Sequence, residues 1–321
     1  MPHMKATLED PYPKSFEEFL AWFPSEKDCE RYLEWIRWPT GFVCPQCAGQ
    51  EFWRTDRGLL QCHGCQHQTS VKVGTVFEGT QKPLLLWFHV MWLMMAQKTG
   101  LSAKNLCDTY GFGSYQTAWA WLQKLRSVMI RSGRDRLCGR VEIDETYIGG
   151  RKEGDRGRGA AGKTLVLVAV EGEGGKLGRV RFRCVVSADA DHIELFAKDY
   201  IETKSNIVTD GFSSYSGLSA MGFEHSPHVI SSGGEVARKE LYHVHLVISL
   251  LKRWLMGTHQ GAVTPNHLQA YLDEYSFRFN RRLSAHRGKL FHRLIEQSVT
   301  LRPKNIKDFC VKKPQHTDQL G

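Results

Sequence analysis

The chain has 321 residues, and 41% of them are hydrophobic and 11% aromatic, which excludes a wholly disordered protein. Lys and Arg number 43 against 34 Asp and Glu, so the net charge of +9 favours a polyanionic partner. The longest apolar run, residues 84–96, is too short for a membrane span, which needs about 20 residues. The N-terminus lacks a secretory signal. We therefore expect a soluble, cytoplasmic protein with no membrane partner.

The positive charge is concentrated in two blocks. Residues 101–140 contain seven Lys and Arg against two Asp and Glu, and residues 281–321 contain ten against three. Residues 1–100 and 141–280 each carry a small acidic excess. DNA should therefore be held on both sides of an acidic centre, and its binding should weaken steeply with salt.

In chain order, the first predicted elements are helices. A capping box begins a helix at Ser15, and a second helix covers residues 26–38. After a cysteine-rich segment, residues 71–77 are strand-like and residues 83–98 form a buried helix.

Four cysteines between these elements have the spacing of a zinc ribbon. Cys44 and Cys47 form one CxxC motif, and Cys62 and Cys65 form a second after fourteen intervening residues. Two such turns present four thiolates to one Zn²⁺ and leave no position for water, so the zinc would be structural. Four unrelated core cysteines are the alternative. The other cysteines lack this spacing and are expected to be buried thiols.

A helix-turn-helix candidate follows. Ser102 can cap a helix that ends at residue 110, a glycine turn breaks it, and Ser114 can cap a second helix through about residue 131. The second helix could enter a DNA major groove. Candidate phosphate contacts are Lys124, Arg126, Arg131 and Arg134. The alternative is a helical hairpin that only packs.

From residue 140 the pattern changes to alternating strands. Strands are predicted at residues 141–148, 164–170, 178–186 and 206–210, with a helix at 191–201 before the last of these. A further strand near 223–230 and helices at 241–256 and 264–280 follow. Three antiparallel strands, a helix and another strand describe an RNase H-like α/β core with a mixed sheet. The whole chain is then multidomain α+β.

Two aspartates stand out in this core. Asp144 lies within a strand, where Asp is rare, and Asp210 ends a strand that should neighbour it. Facing carboxylates of this kind can bind two Mg²⁺ ions for phosphoryl transfer.

One glycine-rich motif needs a different interpretation. Residues 157–164 match the phosphate-binding pattern GxxxxGK[ST], but a strand follows where that motif requires a helix. The stretch is better explained as a basic loop near nucleic acid, with Arg151 and Lys152 as DNA contacts.

The chain resembles the DDE-type transposases of bacterial insertion sequences, in the branch with an N-terminal zinc ribbon. The segments that carry the resemblance are CPQCAGQ, CHGCQHQTSVKVGTVFEGT, VEIDETYIGG, VTDGFSSY, HVHLVISLLKRWLMGTHQG and HLQAYLDEYSFRFNRR, across about residues 40–290. The resemblance implies an RNase H-like catalytic core, binding of transposon ends and target DNA, and Mg²⁺- or Mn²⁺-dependent cleavage and strand transfer. It also implies a homo-oligomer on DNA, in a bacterial cytoplasm near the nucleoid.

The resemblance also assigns site residues. Asp144 and Asp210 match the first two catalytic carboxylates. The third is usually a Glu seven residues before a Lys; here the Lys is Lys252 and the residue is His245. Neutral imidazole can bind a divalent ion but suits softer metals than Mg²⁺. Glu240 and Glu235 remain possible substitutes, and Lys252 and Arg253 would contact the DNA backbone.

The predicted domains are residues 1–82 for the first helices and ribbon, 83–137 for the helix-turn-helix, 138–290 for the catalytic domain and 291–321 for a basic tail. The leading hypothesis is a transposase. The alternatives are a non-catalytic DNA-binding regulator derived from one, which the missing Glu suggests, and a metal-dependent nuclease without strand transfer.

Overall fold

The computed structural model describes residue 9 and residues 11–131, 133–149, 163–173, 175–228, 239–260 and 263–301. The chain forms two compact units. The first contains residues 1–131 and 283–310, and the second contains residues 132–282 and 311–321. Within the described ranges, every helix is too short or too polar to cross a membrane.

The first unit begins with helices and a small sheet. Its elements are α1 (Phe16–Trp22), α2 (Glu26–Arg37), β1 (Phe52–Arg54), β2 (Leu60–Cys62), β3 (Gln68–Thr69), α3 (Leu84–Ala96), α4 (Ala103–Tyr110) and α5 (Tyr115–Ser127). The predicted cap is confirmed, since the Ser15 hydroxyl accepts the Glu18 N–H at 3.1 Å. The strand predicted at residues 71–77 is wrong. That segment forms turns, with the Thr75 hydroxyl donating to the Lys72 carbonyl at 2.6 Å and Gly74 at φ 75°.

The second unit is built on a five-stranded sheet. Its elements are β4 (Arg140–Ile148), β5 (Thr164–Glu173), β6 (Lys176–Val185), α6 (Ala190–Tyr200), β7 (Asn206–Asp210), a 3-10 helix (Ser213–Met221), β8 (Glu224–His228), α7 (Tyr242–His259) and α8 (Pro265–Phe279). The strand order is β6-β5-β4-β7-β8. Strands β4, β5 and β6 are antiparallel, whereas β7 is parallel to β4 and to β8. This mixed sheet confirms the RNase H-like core.

Helices cover both faces of the sheet. On one face, Ile148 and Val208 pack with Val247 and Leu251 of α7 in a cluster that also includes α8. On the other face, Ile143 belongs to a cluster with α6 and the 3-10 helix. Because successive strand residues point to opposite faces, Glu142, Asp144 and Asp210 share the α7 face with Ile148 and Val208.

The last helix, α9 (Gly288–Thr300), returns to the first unit and packs on α2 and α3. The Phe291 ring lies 5.5 Å from Phe19 and 5.6 Å from Phe88 between centroids. The Tyr32 hydroxyl and His292 Nδ1 form a hydrogen bond of 2.7 Å. The predicted domain boundaries stay predictions. Helix α9 nevertheless spans the boundary between the catalytic domain, which is predicted to end at residue 290, and the basic tail. Residues 302–321 lie outside the described residues.

Candidate catalytic and metal-binding sites

The four predicted cysteines come together at the small sheet of the first unit. Their sulfur atoms all lie within 4.8 Å of one another. The Sγ atoms are 3.6 Å apart in Cys44 and Cys65 and 3.5 Å apart in Cys47 and Cys62. A tetrahedral site with Zn–S bonds of about 2.3 Å needs S–S edges of about 3.8 Å, so the spacing fits Zn²⁺.

Hydrogen bonding favours a thiolate in this cluster. Although burial raises the pKa of Cys44, backbone N–H groups of Cys47 and Gln46 lower it to about 7. The Gln46 N–H donates to the Cys44 sulfur at 3.4 Å. The thiolate is the form that binds a metal.

Three of the four remaining cysteines in the described ranges are less buried than expected. Cys29 is buried as predicted, but Cys107 and Cys184 are half-buried and Cys138 is exposed. Cys310 lies outside the described residues.

Asp144 and Asp210 lie on adjacent strands of the second unit. Strands β4 and β7 pair in parallel up to Glu142 and Val208, and each aspartate is two residues further along its strand on the same face. The Asp210 Oδ1 accepts the Phe212 N–H at 3.1 Å, a local turn that ends β7. The register thus gives two carboxylates at one level of adjacent strands.

Helix α7 brings the third predicted residue to this pair. His245 Nε2 lies 3.3 Å from Asp144 Oδ2. Lys252 is seven residues later, which is about two helical turns, so it shares the helix face of His245. Partial desolvation lowers the pKa of Lys252, and the nearby Asp144 carboxylate opposes that shift. A cationic group therefore lies within electrostatic reach of the carboxylates.

Of the two alternative third ligands, Glu240 does not join this site. Glu240 Oε2 is 2.8 Å from a guanidinium nitrogen of Arg140, at the start of β4. Asp144 is four residues along that strand, about 13 Å away at about 3.3 Å per residue. Glu235 lies outside the described residues.

The three predicted ligands are not drawn as closely together as the cysteines. Over the described part of the chain, the four cysteines are the one set of three or more candidate ligands whose donor atoms all lie within 4.8 Å. His245 is the direct neighbour of Asp144. The position of Asp210 near them follows from the parallel register of β7 with β4.

The helix-turn-helix candidate has the expected local geometry. Ser102 and Asn105 form a capping box, Gly111 ends α4 at φ 62°, and the Ser114 hydroxyl accepts the Thr117 N–H at 3.1 Å. Helix α5 ends at Ser127, four residues before the predicted end.

Burial separates the predicted DNA contacts of the first unit. Arg131 is exposed and Lys124 is half-buried, with burial lowering the pKa of Lys124. Arg126 is only 1% exposed, and its guanidinium donates to the Leu101 carbonyl at 3.4 Å. It has no accessible charge to offer a phosphate, so Arg126 is removed from the predicted DNA contacts.

The other predicted contacts belong to the second unit. Lys252 and Arg253 are exposed on α7. Arg134 is half-buried, with its guanidinium over the Tyr200 ring at 5.0 Å. Arg151 and Lys152 lie outside the described residues.

Sequence reasoning missed a buried pair beside the aspartates. The Glu142 carboxylate contacts His243 Nδ1 at 2.7 Å and accepts the Val244 N–H at 2.9 Å. Glu142 stands on the same strand face as Asp144, and His243 precedes His245 by the same two residues. The sequence does contain a signal for this pair, because Glu142 is a second acid on the face of β4 that carries Asp144.

Two family matches identify the chain. Residues 136–280 match the family described as ISXO2-like transposase domain, and residues 24–68 match the transposase zinc-ribbon domain. The chain belongs to the insertion-sequence transposases. The matched ranges of this transposase include the four cysteines, both aspartates, His245 and Lys252.

The chain is also similar to one curated protein and to several solved structures. The chain is 27% identical over 277 residues to an uncharacterized protein in transposable element ISH50 of Halobacterium salinarum, over 80% of this transposase and 91% of that protein. It is similar to the Mos1 strand transfer complex. That match has 14% identity, covers 65% of this chain and 75% of the other, and has a TM-score of 0.31. It is also similar to a simian T-cell lymphotropic virus intasome in complex with PP2A regulatory subunit B56 gamma. That match has 11% identity, covers 57% of this chain and 66% of the other, and has a TM-score of 0.28.

Proposed function

We propose that the protein binds the inverted-repeat ends of its insertion sequence and catalyses divalent-metal-dependent DNA cleavage and strand transfer. The observation that carries the proposal is the pair Asp144 and Asp210 on adjacent parallel strands, with His245 facing Asp144 at 3.3 Å. When bound, Mg²⁺ or Mn²⁺ would activate the attacking hydroxyl and stabilise the leaving oxygen.

Each residue of this site has a distinct proposed role. The oxygens of Asp144 and Asp210 are the hard ligands that Mg²⁺ and Mn²⁺ prefer. His245 is the third ligand; its imidazole adds no negative charge and suits softer ions, so Mn²⁺ should support the reaction better than Mg²⁺. Lys252 holds the DNA phosphate near the carboxylates, and Arg253 binds the backbone beside it.

The first unit is proposed to recognise the DNA ends. Zinc bound by the four cysteines would be structural, since they fill all four positions of a tetrahedral site. The exposed first turn of helix α5 would enter the major groove, with Lys124 and Arg131 near the phosphates. Arg151 and Lys152, which follow β4 in the sequence, would contact DNA. Cleavage of two ends in concert favours a homo-oligomer on DNA.

The test uses the full-length protein and paired duplexes with the inverted-repeat ends of its element. With Mn²⁺ or Mg²⁺, we expect a nick at the end and a product joined to target DNA, separated on denaturing gels. Asp144→Asn and Asp210→Asn should each remove both products. Asp199→Asn is the matched control. Asp199 lies on α6 and forms an ion pair with Arg183 at 2.7 Å, so this variant should keep its activity.

Three results would contradict the proposal. Cleavage by both aspartate variants would exclude these carboxylates as the metal ligands. Cleavage without joined products would indicate a nuclease. End binding with no cleavage in either metal would indicate a DNA-binding regulator.

A further inference from the structure

A buried carboxylate ties helix α7 to strand β4. Glu142 is 1% exposed, and its two oxygens contact His243 Nδ1 at 2.7 Å and the Val244 N–H at 2.9 Å. Both partners lie in the first turn of α7. A carboxylate buried to this extent is stable only with such partners, so the contact fixes one point of the helix on the sheet.

Glu142 also supplies a cap that the helix lacks. The N-cap residue of α7, Leu241, makes no side-chain hydrogen bond to the helix. The first N–H groups of a helix have no partner within it. A negative charge is favoured there by the helix macrodipole. The sheet therefore provides, through Glu142, what the local sequence does not.

Strand β5 provides the space for this contact. A Cβ atom on Gly172 would lie 2.5 Å from His243 Nδ1 and within 2.9 Å of two ring carbons. A real Cβ cannot approach a buried ring so closely, because the interior is closely packed. Glycine at this position lets the His243 ring lie directly against β5.

The contact lies two residues before the proposed ligands on each element. Glu142 precedes Asp144 on β4, and His243 precedes His245 on α7. A shift of α7 by one residue would move it by about 1.5 Å and turn it by about 100°. Either change would break the 3.3 Å approach of His245 to Asp144.

We propose that Glu142 and His243 are positioning residues that set the register of α7 on the sheet and thereby hold His245 against Asp144. The consequence for metal binding rests on the proposed function, whereas the placement of His245 does not. Partners that orient metal ligands typically change metal affinity by about 10–100-fold when they are replaced.

The experiment compares Glu142→Ala with the conservative Glu142→Gln in the full-length protein. One readout is the ¹⁵N spectrum of the histidine rings without metal, with His245 assigned from His245→Asn. The other is the Mn²⁺ concentration that gives half-maximal end cleavage. We expect Glu142→Ala to shift the His245 signals and to raise that concentration about 10–100-fold. Glu142→Gln should stay close to the wild type, because its amide can accept from Val244 and donate to His243.

The matched control is Glu171→Ala. Glu171 is a hydrogen-bonded acid on the neighbouring strand whose carboxylate binds Arg179 at 2.6 Å and the Cys138 N–H at 2.9 Å, away from α7. It should lower stability while leaving the His245 signals and the Mn²⁺ requirement unchanged. Equal effects of Glu171→Ala and Glu142→Ala would overturn the proposal, as would unchanged His245 signals in folded Glu142→Ala.

A second route covers the case in which Glu142→Ala does not fold. Gly172→Ala should displace the His243 ring from its place against β5 and shift the His245 signals. Unchanged signals in Gly172→Ala would overturn the proposal. If the wild type cleaves no DNA, the proposed function fails, and the metal-free spectra still decide the placement of His245.

Discussion

Helix α5 depends on Trp121, so the replacement of this residue by alanine tests the packing of the helix-turn-helix. The Trp121 ring stacks on Trp87 with centroids 3.6 Å apart and planes at 11°, and Phe112 meets its edge at 4.9 Å. It is 7% exposed. Truncation of such a residue costs about 3–5 kcal/mol. A unit of this size loses about 2–4 °C per kcal/mol, so its unfolding midpoint should fall by about 6–20 °C.

The assay is differential scanning calorimetry of the full-length protein, with Trp119→Ala as the matched control. Trp119 lies on the same helix and is only half-buried, so its removal should lower the midpoint much less. Binding of an end duplex, measured by fluorescence anisotropy, should be lost in Trp121→Ala above its new midpoint. A larger loss of stability in Trp119→Ala than in Trp121→Ala would refute the assignment of the buried face of α5.

Three further predictions concern the first unit. Cys62→Ser should reduce bound zinc, measured by atomic absorption, and unfold the small sheet; full zinc retention would contradict the site. Burial, with Arg293 adding to it, lowers the pKa of His292 to about 4. Between about pH 6.5 and 4 the unfolded chain therefore binds more protons, and stability should fall on acidification by up to about 1.4 kcal/mol per pH unit, a slope that His292→Gln should reduce in urea titrations. Gly288→Ala should lower the unfolding midpoint because its Cβ would overlap the Pro13 carbonyl, whereas Gly257→Ala has open space and should not.

The features that could be predicted from the sequence have local signals. The two CxxC motifs determine their own turns, and four sulfur atoms within 4.8 Å follow from them. The alternation of side chains along β4 assigns Asp144 to one face of the sheet. Asp210 then comes to the same face if its strand pairs in parallel with β4. The seven-residue spacing from His245 to Lys252 gives a common helix face without any knowledge of the sheet.

The features that could not be predicted depend on distant partners. The residue type of Arg126 alone predicts an exposed DNA contact. Helix α5 is enclosed on nearly all sides after its first turn, so Leu125 and Arg126 are both buried. The pairing of Tyr32 with His292 joins residues 260 positions apart, and no local pattern indicates it. The contact of Glu142 with His243 likewise spans 101 positions.

The return of α9 to the first unit makes residues 132–282 an insertion between two parts of one folding unit. A ribosome completes residues 132–282 before Phe291 emerges to join Phe19, Phe23 and Phe88. Until then the aromatic faces of α1, α2 and α3 have no α9 to cover them. A gene copy with a stop codon between residues 132 and 282 would therefore encode a first unit without α9, so a truncated element should not leave behind a stably folded N-terminal fragment.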